Sequence, residues 1–266
     1  MDSGNAALDW RADLRRERTF LATSALLFFA SAAVTIYRCK LMPGGMPMPG
    51  GWTMSMAWMR MGQPWLAADT SFMGMWLVMM VAMMLPSLVP MLLCYRRSLG
   101  GQAHSHLGRL TTIAAAGYFF VWALIGAVAY PIGVSLSESE MRSPMFARLV
   151  PLATGLVLLL AGGTQFMRWK ARRLGRCREA TVCEARSATA VAAWQHGLRL
   201  GVDCSLCCAG FMIVLLVDDA MSLTTMAVVT VAITIERFVR DPERIARVMG
   251  LIIIAVGLLV IARAAA

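Results

Sequence analysis

A polytopic bundle of membrane-spanning α-helices is the fold class this sequence predicts, and three observations predict it. Apolar residues make up 59% of the 266 residues, with a mean hydropathy of +0.66. They fall into blocks at residues 20–37, 71–94, 110–134, 149–167, 200–217, 220–238 and 248–266. Most of these approach the roughly 20 helical residues that cross a hydrocarbon core of about 30 Å. The Lys and Arg residues, finally, collect on alternate connections between the blocks. All of this suits helices better than strands, because the blocks are apolar on nearly every face and lack the period-two alternation of a spanning strand.

The first block follows Arg11, Arg15, Arg16 and Arg18 and runs into Arg38, Cys39 and Lys40 instead of a small-residue cleavage site. It is therefore expected to be a retained helix and not a signal peptide. The second block contains Pro86 and Pro90, each of which removes a backbone hydrogen bond and opens the helix where it must be buried or line a cavity. Only Asp218 and Asp219 separate the fifth and sixth blocks, so a tight helical hairpin and a re-entrant pair fit equally well there. The last block ends at Arg263, whose charged head is expected to snorkel to the interface.

Seven spans with the N-terminus inside place four basic residues before Phe20, three at Arg96, Arg97 and Arg109, eight from Arg168 to Arg199, and four from Arg237 to Arg247 on the cytoplasmic side. Only six of the 25 Lys and Arg remain outside. The positive-inside rule then sets the N-terminus in and the C-terminus out. Residues 1–19 form a cytoplasmic N-terminal segment, and residues 20–266 form one transmembrane domain with an outer Met-rich loop at 41–70 and a basic cytoplasmic loop at 168–199. The formal charge of +10 is explained by this topology and by attraction to anionic lipid. Nucleic-acid binding is not needed to account for it. The expected setting is the inner (cytoplasmic) membrane, crossed several times, with the bilayer itself as the first partner.

Methionine is the first chemical anomaly, with 22 residues of which 14 lie between Met42 and Met91. In the outer loop, Met42, Met46, Met48, Met54 and Met56 stand among Gly, Pro and Trp. Thioethers are soft, neutral ligands that suit Cu(I) and discriminate against hard cations. Copper capture is one reading of the loop, and interfacial anchoring of Met and Trp is the other. In the second block, Met75, Met79 and Met83 recur at i, i+4 and i+8, beside Met73, Met80, Met84 and Met91. The result is two adjacent sulfur-lined stripes on one helix, although Met also fills gaps in ordinary apolar packing.

Cysteine supplies the second anomaly, in Asp203-Cys204-Ser205-Leu206-Cys207-Cys208. The i, i+3 and i, i+4 spacings put two thiols on one helical face, a soft site for Cu(I) or, with other ligands, for Zn(II). Counted from the end of the apolar run at about 1.5 Å per residue, Cys204 to Cys208 lie roughly 6 to 12 Å from the inner end, while Met83 and Met84 lie about 15 Å from theirs. The expected metal site therefore combines Cys204, Cys207 and Cys208 with Met79, Met80, Met83 and Met84. Asp203, His196 and Glu236 are secondary candidates. Glu236 also has Arg237 and Arg240 at hand as structural ion-pair partners.

The Ala82-Met83-Met84-Leu85-Pro86 helix, Met73 and Met75 before it, Pro90-Met91 after it, and the later Cys204, Cys207, Cys208 and Met212 resemble the bacterial predicted metal-binding integral membrane protein family. Members carry an Ala-Met-Met-x-Pro helix, a Cys-x-Gly-Cys-Cys helix and a Glu-Lys pair closing the next helix. Here Leu206 stands in place of that Gly, and Glu236 is followed by Arg237 instead of Lys. The resemblance implies metal binding and carries over Met83, Met84, Cys204, Cys207, Cys208 and Glu236 as its residues.

The expected function is copper handling as Cu(I), by transport, delivery or chaperoning, with zinc the lesser alternative and a periplasmic or membrane copper protein as partner. The competing expectation is a copper-dependent membrane oxidoreductase or an accessory subunit of one. Ligand type separates them. Redox copper sites favour imidazole, and only His104, His106 and His196 are available.

Overall fold

The structure is a computed structural model and describes residues 17–41, 45–48, 52–55, 58, 64–99, 104–167, 169, 170, 172, 175, 188–218, 222–239 and 241–265. Among them, seven helices follow in chain order: α1 (Arg18–Leu41), α2 (Trp65–Ser98), α3 (His104–Arg142), α4 (Pro144–Thr164), α5 (Ala190–Asp218), α6 (Leu223–Phe238) and α7 (Pro242–Ala265). Between α1 and α2, strands β1 (Met46–Met48) and β2 (Trp52–Met54) pair as a small antiparallel hairpin.

The expected all-α bundle is what forms, with one helix on each predicted block. Six of the helices are long and apolar enough to cross a membrane. The sixth block makes the short member: α6 has 16 residues, about 24 Å at 1.5 Å per residue. Its start is set by Ser222, whose hydroxyl accepts the Thr225 backbone N–H at 3.3 Å, satisfying one of the donors left open at a helix N-terminus. At the other extreme, α5 begins ten residues ahead of its apolar block. Thr189 starts it, since its hydroxyl accepts the Ala192 N–H at 3.3 Å.

Burial on α1 is inverted relative to a helix in water. Its buried residues are Ser24, Ser31 and Thr35, of which Ser31 and Thr35 bond back to their own helix, Ser31 Oγ to the Phe28 carbonyl and Thr35 Oγ1 to the Ser31 carbonyl. Leu26, Phe29 and Tyr37 face outward. Small polar residues facing a neighbouring helix, with apolar ones facing out, is the arrangement that hydrocarbon surroundings favour. The outward faces of α3, α4 and α7 carry Val128, Leu136, Leu156, Leu160, Leu251 and Leu259 in the same way.

The centre of the bundle belongs to α2, which packs against α1, α3 and α6, while α5 packs against α3, α4 and α6. Thus α3 and α6 flank both the Met helix and the Cys helix. The α3–α5 seam is made by glycine, because a Cβ on Gly197 would stand 2.0 Å from the Ala114 carbonyl oxygen, and one on Gly201 would stand 2.9 Å from that of Tyr118. Small residues let helix backbones approach this closely. At the inner end expected from the charge pattern, Arg96 closes α1 onto the bundle by a buried 2.5 Å ion pair with Glu17 and lies over the Phe20 ring.

Candidate metal centre

Cys204 occupies the middle of α5, fourteen residues from Ala190, or about 21 Å along the axis. The 6 to 12 Å depth expected from the apolar block is therefore an underestimate, because the helix starts earlier than its hydrophobic part. Cys204, Cys207 and Cys208 are all buried. Two of the neighbouring helices address the first sulfur. Tyr118 of α3 brings its hydroxyl to 2.9 Å from Cys204 Sγ, a reach that the Gly197–Gly201 seam makes possible. From α6, Arg237 donates through Nη2 to the same sulfur at 2.8 Å. A guanidinium has donors and no acceptor, so Cys204 Sγ is the acceptor here, with a permanent positive charge beside it. Cys208 Sγ turns back to the Cys204 carbonyl at 2.9 Å.

Met79 and Met84 are each fourteen residues from an end of α2, about 21 Å. Met75, Met79, Met80, Met83, Met84 and Met91 are all buried. Of the two predicted stripes, only Met73 is partly exposed. Met79, Met80, Met83, Met84, Cys204, Cys207, Cys208 and Tyr118 belong to one continuous buried cluster. Below it, Pro86 and Pro90 lie inside α2, flanking the buried Ser87, whose hydroxyl meets no hydrogen-bond partner among the described residues. The α2 and α5 backbones are spaced by α3 and α6, and Tyr95 of α2 stacks on His196 of α5 with ring centroids 4.8 Å apart.

The secondary candidates separate. Glu236 forms an ion pair with Lys170 at 2.7 Å, with both side chains buried. Lys170 also bonds Gln165 Oε1 and lies over the Phe211 ring. The residue after Glu236, Arg237, reaches Cys204. His196 is buried in its stack with Tyr95, eight residues along α5 from Cys204, about 12 Å. Asp203 is half-buried on the same helix. Of the outer loop, Met46, Met48 and Met54 lie on the hairpin, and Met42 and Met56 lie outside the described residues. Sequence reasoning missed Tyr118 and Lys170. A lone Tyr in an apolar run and a Lys in a basic connection carry no local sign of their partners.

Among the described residues no three Cys, His, Asp or Glu side chains gather into a metal-holding group. Cys204, Cys207 and Cys208 share the buried cluster without being gathered into such a group. The donors that are concentrated are sulfur, and sulfur donors of both kinds select soft ions such as Cu(I).

The fold and core define an all-α bundle of long apolar helices around a buried core rich in Met and Cys. More particularly, the chain belongs to the PpoB2 family, described as copper chaperone, whose family model matches residues 73–260. That segment takes in the Met stripes of α2, the α5 thiols and the Glu236-Arg237 pair, and it leaves out α1 and the hairpin. Copper handling, expected from the sequence, follows from this membership. No curated protein and no solved structure matches the chain.

Proposed function

We propose that this protein is a multi-pass membrane copper chaperone that holds Cu(I) on Cys204, Cys207 and Cys208, completed by thioethers from Met79, Met80, Met83 or Met84, and passes it to a partner copper protein. The observation that carries the reading is the setting of Cys204 Sγ between Tyr118 and Arg237, inside the buried cluster that also holds the four methionines. A metal-bound thiol gives up its proton, and an ionised sulfur away from water needs a compensating charge. Arg237 supplies such a charge when copper is absent. When Cu(I) takes the sulfur, the guanidinium gives way, and on release of the metal it returns. A site with a built-in replacement for its cargo favours exchange over permanent retention. Redox catalysis is disfavoured because the imidazole it prefers stands a dozen ångströms away in His196, stacked on Tyr95.

The test is metal analysis of the purified full chain after anaerobic exposure to equal Cu(I) and Zn(II). Copper bound stoichiometrically, and withdrawn by a Cu(I) chelator without change in its oxidation state, is expected. Zinc in its place would refute the cargo while leaving the thiol site, and turnover of an oxidisable substrate would favour the oxidoreductase.

In the membrane, the charge pattern supports Arg96 to Arg109 and the basic connection before α5 facing the cytoplasm, with the hairpin facing out. A single cysteine placed at Gly50, in a background without other accessible thiols, is expected to react with an impermeant reagent on intact cells. Reaction only after the membrane is broken would reverse the orientation.

A further inference from the structure

The hairpin lies outside the segment that the family model matches, and its chemistry is unlike that of a surface turn. Its register pairs Met46 with Met54 and Met48 with Trp52. Residues opposite each other across an antiparallel pair, and residues two apart along a strand, share one face. Met46, Met48, Met54 and the Trp52 indole therefore stand on one side of the hairpin, with Pro47 and Thr53 on the other. Opposite Cβ atoms are about 5 Å apart and diagonal ones about 7 to 8 Å, within reach of three flexible thioether arms. The exposures are graded: Met46 is 43% exposed, Met48 is half-buried and Met54 is 2% exposed.

This face is held firmly in place. Trp52 Nε1 donates to the Ala147 carbonyl of α4 at 2.9 Å. On the other strand, a Cβ on Gly45 would meet the Met54 carbonyl oxygen at 2.3 Å, so only glycine lets the chain close over Met54. Beneath the hairpin is a cleft of about 340 Å³, lined by Trp52, Thr53 and Ser55 above, by Pro151 of α4, and by Leu216 and Val217 of α5. Leu216 is one helical turn beyond the buried Met212, which is one turn beyond Cys208. The cleft thus meets α5 about 12 Å from the thiols, with a sulfur-bearing side chain between.

We propose that Met46, Met48 and Met54 form a second, neutral soft-metal site, a three-thioether capture site for Cu(I) on the hairpin, beside the cleft that its Trp52 and Thr53 help to line. Residues 46–54 contain no His, Cys, Asp or Glu, so the site offers nothing to a hard or borderline divalent ion and selects a soft monovalent one. Lacking thiolate, it binds more weakly than the thiol centre, which is the order of affinities that lets copper pass inward by ligand exchange without change of oxidation state. The proposal rests on the copper-handling reading of the thiol centre.

The test uses Ag(I), a soft d¹⁰ ion that air does not oxidise, and the full chain in detergent. In a C204S/C207S/C208S background, one Ag(I) per chain is expected to remain, with Zn(II) not bound. Adding M46L/M48L/M54L should weaken that Ag(I) binding at least about tenfold, the scale on which even outer-shell partners move metal affinity. Met46→Leu alone, at a site too exposed to disturb packing, should weaken it measurably. With the thiols intact, the hairpin variant should still fill the thiol centre, only more slowly. Equal Ag(I) binding with and without the three methionines would overturn the hairpin site and leave the thiol reading standing. A native chain that takes up no Cu(I) would overturn both.

Discussion

Replacement of Cys204, Cys207 and Cys208 together by serine is expected to weaken Cu(I) binding by more than about 100-fold while the protein still inserts and folds. The magnitude follows from ligand hierarchy. Outer-shell partners alone are worth about 10- to 100-fold in metal affinity, and thiolates bind soft ions far more strongly than the thioethers that would remain. Serine keeps the size and the ability to return a hydrogen bond to the helix, as Cys208 does to the Cys204 carbonyl, so the fold loses little. Anaerobic competition against a Cu(I) chelator measures the change. Unchanged affinity would make the thiols packing and shift the centre to the α2 methionines. Circular dichroism of the same preparation separates a lost site from a lost fold.

The second large effect falls on stability. Lys170→Met is expected to cost about 3 to 5 kcal/mol, the usual penalty for removing one partner of a buried ion pair and leaving the other charged. Glu236 is that other partner, at 2.7 Å and 2% exposed. Methionine keeps an unbranched apolar stem and removes the ammonium that pairs with Glu236 and lies over Phe211, so the loss is chiefly electrostatic. The double change Lys170→Met with Glu236→Met should return most of the stability, because a buried pair replaced by apolar residues of similar volume is often neutral or better. Unfolding in detergent, compared across the native chain and the single and double variants, gives the coupling. A single variant that costs less than about 1 kcal/mol would mean the pair behaves as an exposed one, and Lys170 would not be docked on the core.

The fold class and the helices on the apolar blocks were legible because each rests on local pattern. Apolar blocks specify helices in a medium that cannot hydrogen-bond the backbone, and i, i+4 spacing places Met79 with Met83, and Cys204 with Cys208, on common faces. Where the helices end was less legible. Hydropathy sees only the apolar part of α5, whereas the Thr189 cap starts it at Ala190, and that moves the thiols from near one end to mid-helix. The hairpin escaped notice in a loop rich in Gly and Pro, since three-residue strands leave almost no periodicity to read.

By itself, then, the sequence determined that this is an apolar helical bundle rich in Met and Cys, because composition and spacing act within one element at a time. Tertiary structure alone decided which charges meet which sulfurs. Glu236 pairs with Lys170, and the neighbouring Arg237 reaches Cys204. Tyr118 reaches the same thiol only because Gly197 and Gly201 let α3 and α5 close together. Both pairings depend on crossings between helices tens of residues apart, and a buried charge settles on the partner that the packed backbone brings within hydrogen-bond distance, wherever that partner lies in the chain.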